Sequence, residues 1–341
     1  MKLKVHLLER YDPELMKPLE EQVKPGITIT CGETIPRPAD YDILISGVPD
    51  KESIEASPNL KTLIIPWSGL PRKTRELMRG YPAITIHNIH HNAVPVAEMA
   101  ITLMLAAAKD LIAIDGAFRK HDWSKRYEPP SLTLLAEKRA LILGFGTIGR
   151  EIACRCLGLG MSVAAISSGG GQASAESART KSTERSDSDA SGLNIPVSPP
   201  GQLHSLLPDA NVLFISVPLT DRTKGLFGAE ELSLLPGGAI LVNISRGRIV
   251  DEQALYRELE SGRIRAGLDV WYNYPENEES RTDTKPSSFS FHELPNVVMT
   301  PHLAGHSDRT EETRAMHLAQ LLNAAFEGGP MPNRIDLERG Y

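Results

Sequence analysis

The feature that most constrains this chain is a turn of three glycines, Gly144, Gly146 and Gly149, in the run Gly144-Phe145-Gly146-Thr147-Ile148-Gly149. It follows the apolar stretch "RALIL" and opens the helical pattern "REIACRCL". Between a strand and a helix, G-x-G-x-x-G spacing has a mechanical basis. Gly144 permits the tight turn, Gly146 lets the backbone approach a pyrophosphate, and Gly149 lets helix and strand pack closely. The free N–H groups and positive dipole end of the helix suit the same anion. A glycine-rich turn that binds nothing is the competing reading, and the strand–turn–helix context argues against it. About twenty positions on, dinucleotide-binding units carry an acidic residue for the adenosine ribose. Here "MSVAAISS" ends in Ser167 and Ser168. A carboxylate would repel a 2′-phosphate and a serine would not, so the expected cofactor is NAD or NADP. NADP would be preferred if Arg179, Lys181 or Arg185 folded over that phosphate.

Around this turn, short β-branched runs alternate with helical patterns, which predicts an α/β fold with parallel sheets. The strand candidates are Leu3–Leu8, Ile43–Ser46, Lys61–Ile65, Ile84–Ile86, Ala140–Gly144, Ser162–Ile166, Val212–Val217, Ile240–Ile244, Gly267–Val270 and Val297–Thr300. A long helix is expected from near Pro95 through "VAEMAITLMLAAAKDL", serving as an interdomain hinge. At roughly 100–200 residues per domain, 341 residues predict two domains. The Ser/Gly-rich stretch 168–194 has almost nothing to bury and reads as a flexible surface insertion, with a phosphosite cluster as the lesser reading.

Charge and cysteine content narrow the function classes. A net charge of −6 gives no basic footprint for nucleic acid or anionic lipid. The amino terminus enters a strand pattern without an export signal, and the apolar stretch 97–114 is broken by Glu98, Lys109 and Asp110, so a cytoplasmic protein without membrane spans is expected. Cys31, Cys154 and Cys156 read as incidental thiols in a reducing compartment. His87, His90 and His91 in "HNIHHNAVP" suggest a metal site, but no acidic or thiol partner lies at ligand spacing, so no metal is expected.

Six segments in order, "HNAVPVAEMAITLMLAAAK", "GFGTIGREIA", "SVPLTDRTKGLF", "VNISRGRIVDEQAL", "AGLDVW" and "VVMTPHLAG", resemble the D-isomer-specific 2-hydroxyacid dehydrogenases over nearly the whole chain. The resemblance implies two Rossmann-like domains, with parallel sheets flanked by helices. A cofactor domain at 95–303 would be inserted into a flavodoxin-like substrate domain built from 1–94 plus 304–341. It implies hydride transfer between a nicotinamide and the α-carbon of a small 2-hydroxy or 2-oxo acid, as in glyoxylate or hydroxypyruvate reductases. Closing the domains would exclude water from the reaction.

Carried over residue by residue, the resemblance assigns Arg246 to the substrate carboxylate and carbonyl. A guanidinium offers a rigid donor fork matched to a 2-oxo acid and keeps its charge; a surface strand end is the bland alternative. His302 matches the acid–base histidine, and imidazole titrates near neutral pH. Ser68 and Gly69 fall in the loop whose N–H groups receive the substrate carboxylate, with Trp67 either a wall over the substrate or a core residue. Cofactor contacts are implied for Val96, Gly144, Gly146, Thr147, Ile148, Gly149, Ser167, Val217, Pro218, Thr223, Ile244, Asp269 and His302. Asp269 matches the residue that orients the nicotinamide carboxamide, with a turn cap as the alternative. A homodimer through the long helix and "FRKHDW" is implied too.

One position departs from the family. Most members carry glutamate five residues after this aspartate, paired with the histidine; here Tyr274 stands there. A phenol orients an imidazole but supplies no fixed charge at neutral pH, so His302 is expected to hold its proton less firmly, unless Glu276, Glu278 or Glu279 substitutes. That departure motivates the alternative of a cofactor-sensing, co-repressor-like interaction protein without significant turnover. Formate dehydrogenases share the "DVW" motif and lack the glutamate, but Asp110 stands where that branch has asparagine.

Overall fold

The computed structural model describes residues 2–168 and 195–340, and these divide into two compact units, 1–92 with 306–341 and 93–305. The expected surface insertion, with Arg179, Lys181 and Arg185, lies outside the described residues apart from Ser168.

The first unit runs β1 (Leu3–Leu7), α1 (Pro13–Gln22), β2 (Ile27–Cys31), β3 (Ile43–Ile45), α2 (Lys51–Glu55), β4 (Thr62–Ile65), α3 (Arg72–Met78) and β5 (Thr85–Asn88). The start of α1 shows why its boundary lies there: Asp12 accepts the N–H of Glu14 at 2.9 Å, and Pro13 sits in the first turn where its missing donor costs nothing. The strands pair in parallel in the order β2-β1-β3-β4-β5, the flavodoxin-like arrangement.

The second unit begins with α4 (Ala93–Ala108), α5 (Leu111–Phe118) and α6 (Ser124–Tyr127), followed by β6 (Arg139–Leu143), α7 (Thr147–Gly158), β7 (Ser162–Ile166) and β8 (Val197–Ser198). It continues through α8 (Leu203–Leu206), β9 (Val212–Ile215), α9 (Ala229–Leu234), β10 (Ile240–Asn243), α10 (Glu252–Glu260), β11 (Arg265–Leu268) and β12 (Val297–Met299). Its seven parallel strands take the order β12-β11-β10-β9-β6-β7-β8, so connections reverse direction at β6, the switch point at which Rossmann sheets hold dinucleotides. Strands β9 and β10 are buried throughout, as a parallel sheet with both faces covered requires. Leu141, Leu213 and Leu241 pack on one face, and Ile142, Phe214 and Val242 on the other. A Cβ on Gly267 would come within 2.7 Å of Leu103 Cβ, so glycine in β11 lets α4 lie directly on the sheet. The chain returns to the first unit with α11 (Thr310–Glu327), which packs against α1.

All ten expected strands form, with ends shifted by a residue or two; β2 and β8 are additional. The long helix stops earlier than expected, at Ala108, because Asp110 takes a left-handed conformation (φ 50°) before α5 begins. No described helix is long and apolar enough to cross a membrane.

The histidine-rich segment serves the interior of the first unit. His87 Nδ1 lies 2.7 Å from the carbonyl of Pro332. His90, His91 and His317 are all pushed below the ordinary imidazole value, chiefly by burial. His91 falls furthest, to about 4, with Arg314, His317 and His90 adding to the effect. Arg314 is held by Glu9 at 2.8 Å and by Glu311 at 3.2 Å. Among the described residues, no group of three or more His, Cys, Asp or Glu is placed to hold a metal. These imidazoles are neutral in the folded chain and titrate near 6.5 when it unfolds. Their contribution is complete above pH 6.5 and is lost as pH falls towards 4, where the unfolded chain binds more protons. Urea unfolding across pH 7 to 4 should show stability declining through this window, and His91→Gln should flatten the decline; an unchanged slope would contradict the assignment.

Candidate active site

The glycine turn closes as its spacing requires. Gly144 sits at φ +97°, and a Cβ on Gly149 would lie 2.0 Å from the carbonyl oxygen of Gly144, so neither position accommodates a side chain. Gly146 differs: a Cβ there would meet nothing within 4 Å. It is the N-cap of the 12-residue helix α7 and provides no side-chain cap, which leaves the first N–H groups of the helix without a capping side chain. Those are the requirements of a bound pyrophosphate, and the residues present fit a dinucleotide. Thr147 is exposed and Ile148 half-buried beside the turn. Arg150, not singled out from the sequence, places its guanidinium 5.0 Å from the centre of the Phe145 ring, adding a cation on the first turn of α7.

Ser167 follows β7, and its N–H bonds the carbonyl of Ser198 at 3.0 Å. After β9, Val217 and Pro218 lead into a loop stitched by Thr223, whose hydroxyl bonds the Pro218 carbonyl at 2.6 Å and accepts the Thr220 N–H at 2.8 Å. Val96 and Ile244 are buried in the core on one face of the sheet.

Beyond the ends of β10, β11 and β12, three loops are tied to one another. Asn243 turns the first: its side chain donates to the Arg246 carbonyl at 3.0 Å and accepts the Ser245 N–H at 3.1 Å. The Ser245 hydroxyl bonds the Val217 carbonyl. Gly247 packs so tightly on the second loop that a Cβ would lie 2.4 Å from the Trp271 carbonyl oxygen. The Trp271 indole N–H reaches the Thr300 carbonyl of the third loop at 2.9 Å. Asp269 is 0% exposed and accepts from Thr300 Oγ1 at 2.6 Å, Leu303 N–H at 2.8 Å and Ala304 N–H at 3.0 Å. Of these supports, only Asp269 stood out in the sequence; "DVW" was the one hint of Trp271.

This edge carries Arg246, Tyr274 and His302. Arg246 is open to solvent and donates to the Ser245 carbonyl at 2.6 Å. Desolvation by surrounding protein pushes its pKa below the ordinary value, opposed by the nearby Tyr274, and a guanidinium remains cationic at neutral pH. The Tyr274 ring, 43% exposed, lies tilted against the His302 imidazole with centroids 5.5 Å apart. Its hydroxyl oxygen accepts the Trp271 N–H at 3.1 Å. Burial raises the phenol's pKa and Asp269 adds to the rise, while the Trp271 bond and Arg246 oppose it. The phenol is therefore neutral at physiological pH. His302 is exposed and left-handed at φ +59°.

In the first unit, Ser68 and Gly69 follow β4, and the Ser68 carbonyl is held by the Asn88 amide at 2.7 Å. The Trp67 indole lies on the backbone of Gly47, where a Cβ would come within 1.8 Å of it, yet remains 38% exposed. It is thus both packed and accessible, between the two roles expected of it.

Residues 101–304 match the family described as D-isomer specific 2-hydroxyacid dehydrogenase, NAD binding domain. The chain belongs to this family. Among its relatives, a glyoxylate reductase of Korarchaeum cryptofilum is 30% identical over 321 residues, covering 89% of this chain and 85% of that protein. A D-3-phosphoglycerate dehydrogenase of Archaeoglobus fulgidus is 28% identical over 94% of this chain, and the chain spans only 55% of that protein's length. The fold matches the crystal structure of a D-isomer specific 2-hydroxyacid dehydrogenase from Xanthobacter autotrophicus in complex with NADPH and MES. Its TM-score is 0.77 at 22% identity, with both chains fully covered.

The contact between Gly247 and Trp271 makes a sharp prediction for this family member. In Gly247→Ala the Cβ must displace the Arg246 loop or the Trp271 carbonyl, and the melting temperature should fall by roughly 2–10 °C. Calorimetry reads this directly, and an unchanged melting temperature would show the contact to be slack.

Proposed function

We propose that the chain is an NAD(P)-dependent oxidoreductase acting on the CH–OH group of small 2-hydroxy acids, working as a glyoxylate- or hydroxypyruvate-type reductase. The observation that carries this reading is that Arg246 and His302 both stand open to solvent just past β10 and β12. Open α/β sheets place their chemistry at that edge. Bound nicotinamide would supply hydride to the α-carbon of the 2-oxo acid, or accept it from the 2-hydroxy acid. Arg246 holds the substrate carboxylate and polarises its carbonyl oxygen with a fork of donors. His302 gives that oxygen its proton and takes it back in the reverse direction. Tyr274 packs against the imidazole and restricts its orientation without adding charge. In the first unit, the backbone N–H groups at Ser68 and Gly69 are assigned to the substrate carboxylate.

The turn Gly144–Gly149 holds the pyrophosphate, with Val217, Pro218 and Thr223 shaping the loop beside it. Val96, Ile244 and His302 are the proposed contacts at the nicotinamide end. Ser167 admits the 2′-phosphate of NADP, in keeping with the NADPH named in the Xanthobacter autotrophicus complex. The partners are small 2-oxo acids, not nucleic acid or membrane, and the proposed location is the cytoplasm.

With glyoxylate and hydroxypyruvate, NADPH and NADH oxidation should both be measurable, with NADPH at least matched to NADH. Arg246→Ala and His302→Ala should each lower turnover at least about 10²-fold. Tight cofactor binding without turnover on any 2-oxo acid would favour the cofactor-sensing alternative that Tyr274 motivates.

The chain is also proposed to act as a homodimer. Ile112, Phe118, Trp123 and Tyr127 are exposed along α5 and α6, Tyr127 at 76%. Phe118 and Trp123 meet edge-to-face at 4.8 Å. An apolar patch of this kind marks an interaction surface. Sedimentation should give twice the mass of 37.3 kDa, and Trp123→Glu should shift it towards the monomer; a monomeric parent chain would refute the proposal.

A further inference from the structure

The turn that presents His302 cannot hold its shape by itself. A residue with a Cβ is disfavoured in the left-handed region, and His302 lies there at φ +59°. Such a conformation persists only where its surroundings over-determine it. The carboxylate of Asp269 is central to those surroundings. The donors to Asp269 come from both sides of His302: the Thr300 hydroxyl two residues before it, and the Leu303 and Ala304 amides one and two residues after it. Both carboxylate oxygens are engaged, Oδ1 by two donors and Oδ2 by one, and the residue has no exposed surface.

We infer that Asp269 is a positioning residue for His302, clamping the 300–304 turn in the left-handed form that presents the imidazole. The inference rests on the reading of His302 as the proton-transfer group. Hydrogen bonds to a charged acceptor are the strong kind, and an uncharged amide cannot replace this one: asparagine offers one accepting oxygen, and its NH2 would face one of the three donors. Thr300 is the second element of the clamp, tied through its hydroxyl to Asp269 and through its carbonyl to the Trp271 indole. Trp271 in turn backs Gly247 beside Arg246, so the positions of the two substrate-facing groups are mechanically linked.

The test compares Asp269→Asn and Thr300→Val with the parent chain by two readouts. The first is the His302 imidazole signal in cofactor-free, histidine-labelled protein by NMR, assigned through His302→Gln. The second is kcat set against the NADPH dissociation constant from fluorescence titration. We expect Asp269→Asn to move the His302 signal and lower kcat about 10²-fold, with NADPH affinity held within about threefold. Thr300→Val removes one donor and keeps the charge; it should move the same signal and lower kcat about tenfold, and it serves if Asp269→Asn does not fold. A His302 signal identical to the parent's in the folded variants would overturn the inference. So would an Asp269→Asn enzyme with weakened NADPH affinity and full kcat at saturation, the mark of a carboxamide ligand. If the signal moves but the parent enzyme reduces no 2-oxo acid, the clamp stands and the proposed chemistry fails.

Discussion

A parallel sheet delivers every strand to the same edge, and the backbone groups just past that edge have no neighbouring strand to satisfy them. In this chain three side chains do so where β10, β11 and β12 end. Asn243 turns the Arg246 loop, Trp271 bridges to Thr300, and Asp269 gathers the donors around His302. The exposed chemistry therefore stands on a buried polar network. Each member is hydrogen-bonded, the condition under which such a network gives rigidity and not instability. The nucleotide edge is governed by a different constraint, the closeness of Gly149 to Gly144, which brings the start of α7 to the switch point of the sheet.

Tyr274 gives the His302 imidazole a neutral neighbour. A glutamate would place a fixed charge beside the imidazole; the phenol is neutral, anchored to the Trp271 N–H and packed against His302. The fixed negative charge that remains near this edge is the buried Asp269 carboxylate, felt at Tyr274. The proton transfer proposed for His302 thus rests on packing and on a charge behind the turn.

Much of this was legible in the sequence because it depends on local pattern. The glycine spacing marked the strand–turn–helix unit, and β-branched runs marked ten of the twelve strands. Strand β2, "ITITC", alternates but is only five residues long and nowhere fully buried, and two-residue β8 leaves almost no pattern to read. The helix break at Asp110 reflects a left-handed backbone that composition does not announce. The supports at the edge carrying Arg246 and His302 were less visible for a different reason. Asn243, Gly247, Trp271 and Thr300 act across loops from separate strands, and the sequence spacing between them carries no information about that contact. Asp269 stood out by its motif, but only the geometry showed where its carboxylate is directed.

The most direct test of the whole account is to follow the hydride itself. The substrate should be hydroxypyruvate, whose reduction product is chiral irrespective of the label, with NADPH carrying deuterium at the transferable C4 position. The account predicts glycerate with deuterium at C2 and the D configuration, and no label lost to solvent. Unlabelled product or label elsewhere would contradict direct transfer at the edge formed by Arg246 and His302, and the L isomer would contradict the D-specificity named for the family.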